Sequence, residues 1–258
     1  MTSRSKSRSK SPGARKAPHA GKKVRSTRNS AKERVLPGRA HLREPPRDSL
    51  AKRRSRAAQI FDRLAAVNPA PRCELYHKTP FQLLVSVVLS AQTTDRMVNL
   101  CMQPLYDAGF DVTTVLRLGA DGLLPHIKRI GFAPTKSKNI DKLAALIQAQ
   151  HQGQVPRHRA DLEALPGVGR KTANVVLAEI WSEPTLAVDT HVFRVGARLG
   201  LHHAPTPEKA EPELLQSIDK RYLPAAHHWL ILHGRYTCKA IKPACDTCLL
   251  RDLCPSLG

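Results

Sequence analysis

The sequence predicts an all-α protein. Apolar residues repeat at helical spacing in segment after segment, most plainly at Ile140, Leu143, Ala144 and Ile147, which fall at i, i+3, i+4 and i+7. Residue types that begin helices precede several of these segments. No stretch of useful length alternates apolar and polar residues with a period of two, so strands are not expected.

Residues 1–56 do not follow this pattern. This segment holds 19 of the 42 Lys and Arg residues but only three of the 21 Asp and Glu residues, a net charge of +16 out of +21 for the whole chain. It is almost free of large apolar residues, so we predict a disordered basic tail. The remaining residues carry a net charge of only +5. This distribution indicates a polyanionic partner, above all nucleic acid.

Two roles for the tail remain open. An organellar targeting peptide would also be rich in Arg and Ser and poor in acidic residues. Scattered prolines and the lack of amphipathic periodicity favour a DNA tether instead. No apolar run is long enough to span a membrane. We expect a cytoplasmic, nucleoid-associated protein, with organellar or nuclear targeting by the tail as the alternative.

The first two helices have clear boundaries. One is predicted from Ala57 to the stop at Asn68-Pro69. Thr79-Pro80-Phe81-Gln82 then supplies an N-cap, a proline at the first helical position and a capping-box partner. The helix that follows, residues 81–91, is apolar nearly all round and is therefore expected to be buried. Its β-branched residues would also suit a strand, but the cap favours a helix.

Shorter helices are predicted after this point. Thr113 or Thr114 can cap a helix that ends at Gly119, and residues 131–134 are expected to form a turn. The other predicted helices cover residues 96–106, 122–130, 140–153, 161–165, 172–181, 190–199, 207–218 and 225–232.

A glycine-containing hairpin joins two of these helices, in the stretch Leu165-Pro-Gly-Val-Gly-Arg-Lys171. Its two glycines, Gly167 and Gly169, allow backbone N–H groups to point outward together. At the N-terminus of a helix, such a turn suits an anion, and a phosphate is the natural one. An ordinary helical corner with a glycine cap is the alternative, because short glycine motifs match by chance.

Lys171 and Asp189 form an active-site hypothesis. Lys171 lies in the first turn of a helix, where the macrodipole disfavours a cation and so favours the neutral amine. A neutral amine is a nucleophile toward a carbon centre such as C1′ of a sugar. Asp189 precedes a predicted helix between apolar stretches. It can be an N-cap, or an ionised carboxylate that faces Lys171.

The C-terminal cysteines are spaced like metal ligands. Six cysteines without an apolar signal segment indicate a reducing compartment, and therefore metal rather than disulfides. Thiolates suit both zinc and an iron–sulfur cluster, and the residues alone do not choose between them. Cys73 and Cys101 are expected to be buried in the core. The other four lie within 17 residues: Cys238, Cys245, Cys248 and Cys254.

The hairpin, the segment around Asp189 and the cysteine spacing together resemble the endonuclease III family, bifunctional DNA glycosylases of the helix–hairpin–helix superfamily. The resemblance covers roughly residues 58–257. It implies two helical domains with a DNA cleft between them. The first is a six-helix barrel over residues 74–184 that contains the hairpin. The second combines residues 57–73 and 185–258 and carries a [4Fe–4S] cluster on the four C-terminal cysteines.

The resemblance also implies roles for single residues. Carried over by position, Lys171 is the Schiff-base nucleophile and Asp189 is the assisting carboxylate. Gly167 and Gly169 belong to a phosphate-binding hairpin, in which Arg170 is expected to grip the DNA backbone as well.

The family comparison extends to two further positions near the expected cleft. Gln92 matches the residue that fills the gap left by an extruded base, and Phe132 falls where the family usually has an aliphatic wedge. Ala133-Pro134 departs from the family pattern, in a loop that contacts the opposite strand. His191 is more often a structural hydrogen-bonding residue at such a helix start than a catalytic one.

The implied function is excision of oxidised pyrimidines from duplex DNA, followed by cleavage of the abasic site by β-elimination through a lysine Schiff base. The expected partner is double-stranded DNA with damaged bases or abasic sites, bound by a monomer. A mismatch-specific adenine glycosylase shares the fold, but it normally lacks the lysine and has an extra C-terminal domain. A non-catalytic DNA-binding protein would leave Lys171, Asp189 and the cysteines without a role.

Overall fold

The computed structural model describes residues 42–257, and helices form all of the regular secondary structure in that range. No strand occurs among these residues, so the predicted all-α class is confirmed. None of the helices described there is long and apolar enough to cross a membrane. The described residues form two short 3-10 helices, Arg251–Leu253 and Pro255–Leu257, and ten α-helices: α1 Leu50–Val67, α2 Pro80–Ser90, α3 Asp95–Asp107, α4 Val112–Ile127, α5 Ala133–His151, α6 Arg159–Glu163, α7 Arg170–Trp181, α8 Thr190–Arg198, α9 Pro207–Ser217 and α10 Leu223–Tyr236.

Helix α2 lies in the middle of the first of two apolar clusters. Every residue from Phe81 to Leu89 is buried, and α2 packs against α3, α5 and α7. Thr79 caps the helix as predicted, by accepting the N–H of Gln82. The Gln82 side chain in turn accepts the N–H of Lys78, one residue before the position that a capping box requires. This first cluster draws on residues between 75 and 187.

The second apolar cluster joins α1 to the C-terminal helices. Phe61 of α1 stacks on Tyr222 and lies 5.9 Å from the Trp229 ring, measured between ring centroids. Helix α8 packs against α9 and α10, and α1 packs against the same two helices. The division into domains over residues 74–184 and over 57–73 with 185–258 stays a prediction.

Helix α1 begins at Leu50 rather than at Ala57, so the predicted boundary of the disordered tail at residue 56 falls inside a helix and is corrected. Ser49 caps this helix. Arginines rather than apolar side chains attach its first turns to the C-terminal part of the chain. Arg53 and Arg56 donate to backbone carbonyls that follow α8, and Arg53 also donates to a carboxylate of α9. The rest of the predicted tail, residues 1–41, lies outside the described residues.

Two boundaries in the middle of the chain also differ from the prediction. Asp111, rather than Thr113 or Thr114, caps α4, because its carboxylate accepts an N–H three residues further on. The break at Gly119 lies where it was predicted, with φ of 65°. The predicted turn before α5 is shorter than expected, since Ala133 already begins the helix and a proline suits its first turn.

Candidate active site

The hairpin between α6 and α7 is held by its own backbone. The N–H of Val168 donates to the carbonyl of Leu165 at 3.0 Å. Gly167 has φ of +81°, in the left-handed region that favours glycine. A Cβ atom there would lie 3.2 Å from Nδ2 of Asn139 and 3.3 Å from Cγ1 of Val88. Both the conformation and the available space therefore require glycine at this position.

Helix α7 begins without a side-chain cap. Its N-cap is Gly169, and a Cβ atom on that residue would meet nothing within 4 Å. The first N–H groups of a helix have no partners within the helix. At α1, α2, α3, α4, α8 and α9, a Ser, Thr or Asp side chain accepts at least one of them, whereas α5, α6 and α10 begin without a side-chain cap, as α7 does. The start of α7 therefore combines uncapped N–H groups, the positive end of the macrodipole and open space, a geometry that suits an anion.

Lys171 and Asp189 line one cavity of about 70 Å³. Lys171 extends from the first turn of α7 and is exposed. Asp189 is the N-cap of α8, and its Oδ1 accepts the N–H groups of His191 at 2.9 Å and Val192 at 2.7 Å. Its Oδ2 contacts Nδ1 of His191 at 3.1 Å. The capping role and the position near Lys171 thus occur together rather than as alternatives.

The surroundings of Asp189 favour its carboxylate form. Burial raises the pKa of this carboxyl, but the N–H of Val192, the charge of Lys171 and the hydrogen bond with His191 act in the opposite direction, and its pKa lies below the usual value. Burial, reinforced by His228, lowers the pKa of His227 to about 4, so this imidazole is neutral near pH 7. Its Nδ1 lies 2.8 Å from a backbone carbonyl and therefore carries the proton. The negative charge of Asp189 is thus held beside a neutral histidine and a lysine.

A second acidic residue, Asp95, lines the same cavity and was not predicted as a site residue. Burial raises the pKa of this carboxyl, Lys171 lowers it and Asp189 raises it. Arg235 of α10 donates to Asp95 Oδ2 at 2.6 Å and also to Glu74. The pKa of Asp95 lies above its usual value, mainly because of burial, while the ion pair with Arg235 favours the charged form. The sequence offered only a polar break at this point, because Arg235 lies 140 residues away in the chain.

Arg170 is engaged by an acidic residue of α9. Its Nε and Nη2 donate to the two carboxylate oxygens of Glu211 at 2.8 and 2.9 Å, and this bond raises the pKa of the guanidinium. Glu211 is buried and also accepts Nδ2 of Asn174 at 3.2 Å. The side chain expected to grip the DNA backbone is therefore anchored to another helix, although it is still 56% exposed.

Gln92 and Phe132 lie in two neighbouring turns. Gln92 follows α2 with φ of 55°, and Phe132 precedes α5 with φ of 59°. A Cβ atom on Gly131 would lie 3.7 Å from the carbonyl oxygen of Gln92, so the turns are in contact. Phe132 is 65% exposed. Gln92 also lines a recess of about 770 Å³, which shares Asp95 with the smaller cavity.

The four C-terminal cysteines follow α10, and a hydrogen-bond donor contacts the sulfur atom of each of two of them. Nη1 of Arg198 donates to Sγ of Cys238 at 3.3 Å, and the N–H of Leu250 donates to Sγ of Cys248 at 3.4 Å. Burial raises the pKa of Cys245, Cys248 and Cys254, and the neighbouring cysteine thiols add to this. Among residues 42–257, no three His, Cys, Asp or Glu side chains are arranged to hold one metal ion.

A cubane iron–sulfur cluster is held by four cysteine thiolates that accept N–H···S bonds, so this donor set fits such a cluster. The other two cysteines, Cys73 and Cys101, pack against the first apolar cluster but are only partly buried. Burial raises the pKa of Cys73 to about 12, so it is a neutral thiol.

Comparison with known proteins gives a family model, curated relatives and solved structures that match this chain. The family model for HhH-GPD superfamily base excision DNA repair proteins matches residues 85–220. Endonuclease III of Rickettsia felis is 50% identical over 196 residues, which cover 76% of this chain and 92% of that protein. Endonuclease III of Escherichia coli K12 is 46% identical over 201 residues, which cover 78% and 95%.

Solved structures give the same result. A non-covalent endonuclease III–DNA complex is similar, with a TM-score of 0.73 and 40% identity, covering 79% of this chain and 96% of that one. A trapped covalent endonuclease III–DNA intermediate matches equally well. A thermostable thymine-DNA glycosylase has a TM-score of 0.68 at 20% identity, which is a likeness of fold alone.

Proposed function

Because this chain belongs to the HhH-GPD superfamily of base excision DNA repair proteins, and within it to the endonuclease III family, we propose a lesion class and a residue-level mechanism for it. It is a DNA glycosylase and lyase that acts on damaged DNA. We propose that it removes oxidised pyrimidines from duplex DNA, as a monomer. The recess beside the cavity is lined by polar side chains, which suits the hydrogen-bonding edge of an extruded base.

Access to the damaged base requires that the nucleotide leave the duplex. Extrusion is least costly where pairing is already poor, which favours damaged sites. Gln92 and Phe132 occupy the vacated space in this proposal, since both are exposed at adjacent turns. The uncapped N–H groups after Gly169 bind a phosphate, and Gly167 gives the turn its shape. Nη1 of Arg170 is not engaged by Glu211 and can approach the same backbone.

The chemistry follows from the pairing of Lys171 with Asp189. The Lys171 amine attacks C1′, and the base leaves with the electrons of the glycosidic bond. Asp189 accepts the proton that Lys171 must lose, or stabilises positive charge that develops on the sugar. Opening of the sugar ring then gives an imine between Nζ and C1′. The imine acidifies the C2′ protons, so removal of one of them expels the 3′-phosphate and breaks the strand.

One observation carries this assignment: Lys171, at the start of the uncapped hairpin helix, lines the same cavity as Asp189. The test is borohydride trapping on an abasic duplex. Lys171→Gln is expected to abolish the trapped complex while DNA binding persists. Lys142→Gln makes the same change on α5, away from this cavity, and should trap normally. Undiminished trapping by Lys171→Gln would assign the nucleophile elsewhere, and a mismatch-specific adenine glycosylase would give no trapping even with the native chain.

The proposed cofactor is a [4Fe–4S] cluster. When bound, it would supply a cross-link within a segment that has little apolar core of its own, rather than a step in the reaction. Arg198 and the N–H of Leu250 would donate to its thiolates. The residues that would hold it are Cys238, Cys245, Cys248 and Cys254. We place the protein in the cytoplasm with the nucleoid, where its DNA substrate lies.

A further inference from the structure

Lys136 is a buried lysine that the proposed mechanism does not use. It lies in the first turn of α5 and is only 6% exposed. Its ammonium donates to the carbonyls of Leu89 at 2.8 Å and Ala91 at 2.6 Å, and reaches Oγ1 of Thr93 at 3.4 Å. An ammonium has three N–H donors, so these three oxygens satisfy it. Among the described residues, no carboxylate forms an ion pair with it.

Lys136 lies between two helix ends of opposite polarity. A cation in the first turn of α5 meets the positive end of that helix's macrodipole. The carbonyls of Leu89 and Ala91 belong to the C-terminal end of α2, where a cation is favoured. Burial lowers the pKa of Lys136, because the charged form loses hydration here. The ammonium therefore connects the end of α2 to the start of α5.

The side chain and the backbone N–H of Lys136 together reach the two turns that hold Gln92 and Phe132. The ammonium bonds to the carbonyl just before Gln92 and to the hydroxyl just after it, while the backbone N–H of Lys136 donates to the carbonyl of Phe132 at 3.0 Å. Gln92 and Phe132 are both non-glycine residues in the left-handed region. Such conformations persist only where surrounding contacts enforce them, and they concentrate at functional sites.

We propose that Lys136 is a positioning residue that fixes Gln92 and Phe132 in the conformation that fills the gap left by an extruded base. This inference rests on the gap-filling roles proposed above. It predicts that Lys136 affects the reaction only on substrates in which a duplex leaves a gap to fill. A single-stranded abasic oligonucleotide has no such gap, so its reaction with Lys171 should not depend on Lys136.

The test compares two substrates for one variant. Lys136→Met keeps most of the aliphatic stem and removes the ammonium. It is expected to slow single-turnover cleavage of an abasic duplex roughly tenfold, which corresponds to about 1.4 kcal/mol. Borohydride trapping on the single strand should stay at the native rate. Thr93→Val is a milder variant, which removes only the hydroxyl partner and should give a smaller effect of the same kind. Ile147→Ala, a fully buried position near the other end of α5, controls for lost stability.

The outcomes separate this inference from the proposed function. If Lys136→Met slows both substrates equally, as the stability control would, then Lys136 has a structural role and the inference is overturned. A background of Gln92→Ala with Phe132→Ala should itself be selectively slow on the duplex, and Lys136→Met should add little to it. Full additivity would overturn the positioning role. A background without any duplex-selective defect would instead show that the gap-filling roles are wrong.

Discussion

Replacing Asp189 by Asn separates its capping role from its chemical role. In the native chain, Oδ1 accepts the N–H groups of His191 and Val192. The amide oxygen of Asn can accept the same two bonds, and Asn and Asp are comparable N-caps. What the variant loses is the negative charge near Lys171. Loss of a positioned acid–base group typically costs about 10²- to 10⁴-fold, so excision should fall within that range while affinity for damaged DNA stays equal or rises.

The matched control is Asp189→Ala, which removes the cap as well. It should lose about 1 kcal/mol more unfolding free energy than the Asn variant, with a similar loss of excision. Single-turnover excision with excess enzyme and denaturant unfolding measure the two effects. Native-like excision by Asp189→Asn would refute the chemical role. Excision that falls only in proportion to lost stability, in both variants, would leave Asp189 as a cap.

The charge of Asp189 also makes the difference in stability between the native chain and Asp189→Asn depend on pH. The folded-state pKa of Asp189 lies below its usual value, so its charge stabilises the folded protein at neutral pH. That contribution is lost as the pH falls through the folded-state pKa. The native chain should therefore unfold at higher denaturant concentration than Asp189→Asn near pH 7, and the two should converge in acid.

Three further predictions concern other parts of the chain. Gly167→Ala should lose about 1–2 kcal/mol of stability, because the residue has a positive φ and a methyl group there would crowd Asn139 and Val88. Gly169→Ala should fold normally, and thermal unfolding and duplex binding of the two variants check both expectations. The purified protein should contain about four irons, and Cys248→Ser should reduce both iron content and folded yield before it affects excision; stoichiometric zinc in anaerobically prepared protein would contradict this. Residues 1–41 carry a net charge of +12, so their deletion should reduce the slope of log affinity against log salt by roughly 0.9 for each phosphate that the segment neutralises. Excision rates should stay unchanged. Deletion of residues 1–56 should in addition destabilise α1.

Most of the helices were predictable because their signals are local. Helix α2 is set by a Thr-Pro cap and by apolar residues on every face, and both features lie within a dozen residues of each other. The hairpin glycines and the cap position of Asp189 are equally local. The start of α1 was missed for the opposite reason. Its first turns bury little apolar surface, and they are attached by Arg53 and Arg56 to residues more than 140 positions away in the sequence.

The electrostatics of the site depend on pairs that only the fold creates. Nothing in the sequence pairs Asp95 with Arg235, which α3 and α10 bring within 2.6 Å of each other. Arg170 looked free to bind DNA, whereas Glu211 of α9 engages it through two bonds. Residue types alone give no indication of such pairs, because any surface acid could have been the partner.

The conformations of Gln92 and Phe132 show why sequence reasoning fails at functional positions in particular. Residue type argues against a left-handed backbone at both, since neither is Gly, Asn or Asp. Local preference is overridden by Lys136, whose side chain and backbone bond to both turns at once. A sequence that followed local backbone and burial preferences would have glycine at these two positions and an apolar side chain at residue 136. In the positioning role proposed for Lys136, this departure from local preference at three connected residues holds the two turns in the shape that filling the gap requires.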